Sequence, residues 1–266
     1  MNARTEPGEE AGATAARPRI VRELLLVAGL FLVYKFGRQL ATGHTGEAFR
    51  NAHHVWDFER WARLPSELDV QDVLLHSDTL VKAANTYYAT VHFPATLAFL
   101  VWLYLRRPAH YVWARRVLAA VTGAALVGHL FFPLAPPRML SGTGLIDTAR
   151  VYGPSVYGPP QTDHLSNQFA AMPSLHFGWA LMLAIGMIVA TRSRWRWLWL
   201  LHPALTLLVI VGTANHYWLD AIVAGALLGL ALTFLRPPAA RTPDVVPVVP
   251  QRQAEEPAKE LVGAAR

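Results

Sequence analysis

Residues 171–190 read AMPSLHFGWALMLAIGMIVA and residues 215–235 read NHYWLDAIVAGALLGLALTFL. Each is an apolar run with a histidine near its head, His176 in the first and His216 in the second. An ionisable group at the end of a membrane span carries a cost, so such a residue is a functional-site candidate. Whether the two histidines share one membrane face therefore decides both fold and chemistry.

The rest of the chain has the same character. Of 266 residues 53% are hydrophobic and only 16% charged, against about 25% charged in a soluble domain. This places the chain in the membrane class. The net charge of +6 raises the question of nucleic acid. The arginines, however, sit in small clusters between apolar runs, which suits membrane topology and gives no reason to expect a nucleic-acid partner. There is no cysteine, which excludes disulfides and thiolate zinc sites.

The apolar runs predict an all-α, integral membrane bundle of six transmembrane helices: Val21–Leu40, Thr79–Leu105, Tyr111–Leu134, Leu175–Ala190, Leu198–Gly212 and Tyr217–Leu235. Between the first two, Glu47–Leu75 mixes aromatics with dense charge. It reads as an amphipathic helix at the membrane surface, interrupted at Pro65. Residues 1–19 and 237–266 are expected to be disordered tails, without the apolar core of a signal peptide, around one domain at 20–236.

Basic residues orient the bundle. Arg106, Arg107, Arg115 and Arg116 flank one short connection, Arg192, Arg194 and Arg196 fill another, and Arg17, Arg19 and Arg236 mark the tails. With six spans, all of these fall on one side, which is then cytoplasmic. Residues 41–78 on the opposite side hold three arginines against seven carboxylates. Both termini are therefore expected inside the cell membrane. Both histidine stretches, and Pro133–Arg138 after the third span, are expected outside.

The outer elements carry complementary chemistry. His216 and Asp220 are four residues apart and share a helix face. The carboxylate can hold one imidazole nitrogen as N–H and leave the other as base or nucleophile. His176 returns to the same surface one helical hairpin earlier. Pro173 and Ser174 open its helix, with Ser174 a good N-cap and the helix start a site for an anion. Pro136-Pro137-Arg138 adds a fixed guanidinium able to grip phosphate oxygens. Nucleophile, orienter, acid and anion holder together describe phosphoryl transfer through a phosphohistidine. The bland alternative has the histidines capping helices and Arg138 meeting lipid phosphates.

These residues carry a resemblance. The chain resembles the type 2 phosphatidic acid phosphatase superfamily, and within it the branch that includes inositol phosphorylceramide synthase. The superfamily's three motifs occur in order as Ala135-Pro136-Pro137-Arg138, Pro173-Ser174-Leu175-His176 and His216-Tyr217-Trp218-Leu219-Asp220. The branch's features are Ala170-Ala171-Met172 and the segment Asn85–Pro94. The resemblance implies His216 as nucleophile, Asp220 as its orienter and His176 as leaving-group acid. Arg138 and Ser174 are implied to hold phosphate, with Pro137, Asn215 and His92 beside the substrate. Three positions depart from the pattern. Leu175 stands where the superfamily has Gly, Ile210 where it has Arg, and Phe131 where it has Lys. With two phosphate ligands absent, the site suits a phosphodiester or a transfer reaction better than monoester hydrolysis.

The partners expected are a lipid phosphate (phospholipid, isoprenoid phosphate or inositol phospholipid) and membrane lipids. No cofactor is implied, and nothing indicates a metal. His44, His53, His54, His76 and His164 lack a tight ligand pattern. His92 and His129 stand in helices leading to the outer face, whereas His202 reads as structural. Gly225 and Gly229 read as a helix-packing pair, and Trp195, Trp197 and Trp199 as an inner-face aromatic belt. Ser141–Ala170 joins the first two motifs and is long enough for a lid over the head group. A catalytically silent lipid-binding or transport protein on the same frame is the alternative function. The lipid, the acceptor and the oligomeric state have no signature in the sequence.

Overall fold

The computed structural model describes residues 18–40, 45–154 and 168–238. Residues 1–17 and 239–266 of the expected tails, His44 and His164 lie outside these. The described residues are helical, with no strand beyond one isolated parallel bridge between Leu134 and Ala170. In chain order the helices are α1 (Ile20–Leu40), α2 (Thr45–Trp61), α3 (Glu67–Leu75), α4 (Asp78–Thr90), α5 (His92–Arg106) and α6 (Pro108–Phe131). They are followed by α7 (Thr148–Tyr152), α8 (Leu175–Ala190), α9 (Leu201–Gly212) and α10 (Trp218–Phe234). A 3-10 helix, Arg194–Leu200, leads into α9.

Two of these segments are long and apolar enough to cross a membrane, α6 and Arg194–Gly212. A third is added if α4 and α5 form one span. That expected single helix is bent by 49°. Pro94 explains the bend: its ring clashes with the carbonyl four residues back, that of Thr90, where α4 ends. Helices α8 and α10 are apolar but have only 16 and 17 residues. At about 1.5 Å per residue each falls short of a bilayer core of about 30 Å.

The main core packs α5, α6, α8 and α10 through Phe99, Leu103, Trp113, Val117, Met182 and Leu228. A second cluster supports the connections that carry the motifs: Ala48, Ala52 and Val55 of α2 pack on Leu134, Ala171 and Tyr217. The surface helix expected over Glu47–Leu75 is therefore two helices separated at residues 62–66, around Pro65. The buried stripe of α2 (Ala48, Ala52, Val55, Glu59) faces the protein, while Phe58 and Trp61 stay exposed. The third cluster joins Ala84 and Tyr88 of α4 to Val209–Val211 of α9.

The glycines that helix packing requires differ from those expected. A Cβ at Gly229 would meet open space, and one at Gly225 only an ordinary contact with Phe177 at 3.7 Å. Gly186 and Gly212 are tight positions, where a Cβ would lie 2.4 Å from the buried Phe99 ring and 2.6 Å from the Leu74 side chain. Gly186→Ala is expected to destabilise the bundle by about 1–3 kcal/mol through overpacking. Thermal unfolding in detergent reads this directly, with Gly229→Ala as an unaffected control.

Candidate active site

Three connections converge where α6 ends and where α8 and α10 begin, and backbone hydrogen bonds lock them together. Leu134 N–H donates to Phe169 O at 2.8 Å, and Ala171 N–H to Leu134 O at 3.3 Å. Arg138 N–H donates to Ala214 O at 2.9 Å, and Ser174 N–H to Asp220 O at 3.1 Å. The α9–α10 turn is closed by Asn215 and His216 N–H groups that both donate to Ile210 O, at 3.0 and 3.1 Å. Ala214 at its centre has φ +53°. The three sequence motifs are thus one structural unit.

His216 is 5% exposed. Its Nδ1 lies 2.9 Å from Ala171 O and 3.1 Å from Asp220 Oδ2. Both partners are acceptors, so Nδ1 carries the proton and Nε2 keeps its lone pair. Asp220 is fully buried and caps its own helix: Oδ2 also accepts the Tyr217 N–H at 3.0 Å. Tyr217, buried too, anchors the turn by donating its hydroxyl to Ala135 O at 3.0 Å.

Arg138 comes from the 3-10 turn Pro137–Met139. Its Nε donates to Asn215 Oδ1 at 3.0 Å, and Nη2 lies 3.5 Å from Gln168 Oε1. Asp147 Oδ2 is 3.6 Å from Nη1, so part of the guanidinium charge is already balanced. Asn215 in turn donates to Thr213 Oγ1 at 2.9 Å.

His176 stands 5.9 Å from His216, ring centre to ring centre. It stacks on Tyr88 at 4.5 Å and lies against His92 at 4.4 Å, and His92 stacks on Trp179 at 4.9 Å. A cavity of about 90 Å³ opens between the two sets of residues. Arg138, His176, Asn215 and His216 form its polar side. Tyr88, His92, Phe93 and Trp179 form an aromatic side.

The expected site residues are therefore brought together, with two differences. Ser174 is fully buried and its hydroxyl is used as an N-cap, accepting Phe177 N–H at 3.4 Å. Pro173 precedes that cap and so lies before the first turn. Pro137 is buried in its turn, and neither Pro137 nor Ser174 lines the cavity. His129 does line it, with Nε2 3.3 Å from Pro173 O. His202 is hydrogen-bonded to the Tyr87 hydroxyl at 2.9 Å. Among the described residues no group of three or more His, Asp or Glu side chains is arranged to hold a metal ion.

The first half of the long segment between Arg138 and α8 is fastened down. Gln71 donates to Ile146 O at 3.1 Å and accepts Ile146 N–H at 2.9 Å. Asn85 donates to Thr148 O and Gly153 O, each at 3.0 Å. The stretch 155–167 lies outside the described residues.

Sequence reasoning missed the aromatic wall, Gln168 and the Ala171 carbonyl. Within the Glu47–Leu75 segment, expected at the membrane surface for its dense charge, Glu59 and Glu67 are fully buried. For Glu59 a signal existed, because it continues the i, i+4, i+7, i+11 stripe that begins at Ala48.

No curated protein and no solved structure matches the chain. Residues 53–234 match the family model of the PAP2 superfamily. That span runs from α2 to the end of α10 and contains all three motifs and every residue placed around the cavity, so the chain belongs to the PAP2 superfamily.

Proposed function

We propose that the chain is a membrane-embedded phosphotransferase or phosphatase that cleaves a lipid phosphate through a phosphohistidine on His216. Superfamily membership suggests phosphatase or phosphotransferase activity on phosphate-containing lipids. The observation that carries the finer reading is the double acceptor on His216 Nδ1, which reserves Nε2 for attack on phosphorus. As Nε2 bonds to phosphorus, the P–O bond to the leaving alcohol breaks, and His176 gives that oxygen a proton. Asp220 faces the positive ring that results. In the second half His176 takes the proton back from water or an alcohol, whose oxygen displaces Nε2.

Among the described residues Arg138 is the one lysine or arginine lining the cavity, and Asp147 partly balances it. One shared cation matches the single charge of a phosphodiester better than the double charge of a monoester. This favours head-group transfer, and with Asn85–Pro94 and Ala170-Ala171-Met172 it supports the inositol phosphorylceramide synthase-like branch. The aromatic side of the cavity gives an alcohol or a lipid stem an apolar wall. Purified protein in EDTA is expected to turn over phosphatidylinositol, with an alcohol acceptor, faster than phosphatidic acid. Binding of both lipids without turnover of either would instead favour the silent lipid-binding reading.

The proposal includes six spans in the cell membrane, with both termini cytoplasmic and the site on the outer face. It rests on the arginine clusters at 106–116 and 192–196. The chain has no cysteine, so single introduced thiols report cleanly. Ser141→Cys, on the site's side, is expected to react with an impermeant maleimide in intact cells, and Ser193→Cys is not. The reverse pattern would put the site in the cytoplasm.

A further inference from the structure

Glu59 and Glu67 have no part in the chemistry above, yet both side chains are completely buried. Carboxylates in such places require compensation. Glu59 Oε1 accepts the Leu219 N–H at 2.7 Å, in the first turn of α10 and immediately before Asp220. Glu67 Oε2 pairs with Arg60, whose Nη2 is also 4.0 Å from Glu59 Oε2. Arg60 is thus one cation between two carboxyls. Glu59 Oε2 and Glu67 Oε1 are buried with no hydrogen-bond partner among the described residues, on carboxyls that share Arg60 Nη2. A single proton between the two carboxyls satisfies both oxygens and matches the charge to Arg60.

The groups that face Glu59 point the same way. Arg60 lies on its own helix, Glu67 at the start of α3, and Tyr217 and Asp220 at the start of α10. An ionised Glu59 would stand against Glu67 and Asp220 with one arginine between them. Burial first, then Glu67, pushes the Glu59 carboxyl up to about 9.

We propose that Glu59 is a positioning residue for the His216–Asp220 pair. Held neutral by a proton shared with Glu67, it clamps the first turn of α10 and keeps further negative charge away from Asp220. The inference rests on the phosphotransfer reading of the same site. The sign follows from the raised value. The clamp is at full strength below the ordinary carboxyl range and is lost as pH rises through about 9. Above that, Glu59 gains a charge with no further cation to meet it.

Glu59→Gln keeps an oxygen for the Leu219 N–H, offers Glu67 an amide N–H and has no proton to lose. Glu59→Ala keeps none of these. With phosphatidylinositol in detergent micelles as probe, Glu59→Ala is expected to lower kcat by roughly 10²-fold with KM within about threefold, the size of effect that displacing a reacting group produces. Glu59→Gln is expected to restore most of that loss. Wild-type kcat is expected to decline from about pH 8 to about pH 10, and wild-type melting temperature from the ordinary carboxyl range up to about pH 9 and to level off above it, while those of Glu59→Gln stay level. A Glu59→Gln protein as slow as Glu59→Ala, or parallel alkaline declines in wild type and Glu59→Gln, would overturn the proposal. The two readings fail separately. Absence of wild-type turnover contradicts phosphotransfer, whereas parallel melting curves, which need no substrate, contradict the clamp.

Discussion

Turnover is expected to fall on the order of 10⁵-fold in His216→Ala, the size seen when a nucleophile that works as part of a unit is removed. No described side chain stands ready to replace it, since His176 is held between Tyr88 and His92 as the second imidazole. The fold is expected to survive. His216 contributes a ring at the cavity wall, whereas the turn that carries it is closed by backbone bonds to Ile210 and by the Tyr217 hydroxyl. The comparison to make is kcat against melting temperature for the same preparation. Activity within tenfold of wild type in a folded His216→Ala protein would remove histidine as the attacking group.

Asp220→Asn is expected to lower kcat by about 10²–10³-fold, the range for losing one preorganised electrostatic contact. The substitution is close to a pure charge deletion. Asp220 Oδ1 is buried without a hydrogen-bond partner among the described residues, so the amide nitrogen can take that place. The remaining oxygen still meets His216 Nδ1 and the Tyr217 N–H. The Ala171 carbonyl, 2.9 Å from Nδ1, keeps the reactive tautomer in place without the carboxylate. A loss of about 10⁴-fold, as when the tautomer itself is wrong, would show that Ala171 does not hold it. An unchanged kcat would make the pair structural only.

The placement of the site's residues was more legible in the sequence than the architecture. The four-residue spacing of His216 and Asp220 was read as one helix face, whereas His216 precedes the N-cap Tyr217 and meets Asp220 in the first turn of α10. The order of the three motifs puts Arg138 and His176 nearby. The backbone acceptor at Ala171 could not be read, because a carbonyl group is the same in every residue. The burial of Glu59 and Glu67 was not drawn from the sequence because charge marks surface unless a partner is known, and here Arg60 lies between them. The aromatic wall of Tyr88, His92 and Trp179 joins α4, α5 and α8 and has no local pattern at all.

In the fold, apolar runs located the helices well and their lengths poorly. Pro94 was visible in the sequence, yet the bend it causes at Val91 was not drawn from it. Helices α8 and α10 end about a turn short of a full span, a difference that composition alone does not reveal. Gly225 and Gly229 matched a small-residue spacing, but spacing does not say which face of α10 meets a neighbour. Gly186, with no such motif, is the glycine pressed against a ring.

The phosphohistidine is the central claim, and trapping it is the most direct measurement. Wild-type protein would be mixed with head-group-labelled phosphatidylinositol, quenched in alkali within a turnover, digested and sequenced by mass spectrometry. The expected result is the head-group phosphate joined through a P–N bond to the peptide carrying His216, stable to base and lost in acid, and absent from His216→Ala. Turnover with the label on another residue, or with no labelled peptide at any quench time, would contradict attack by His216.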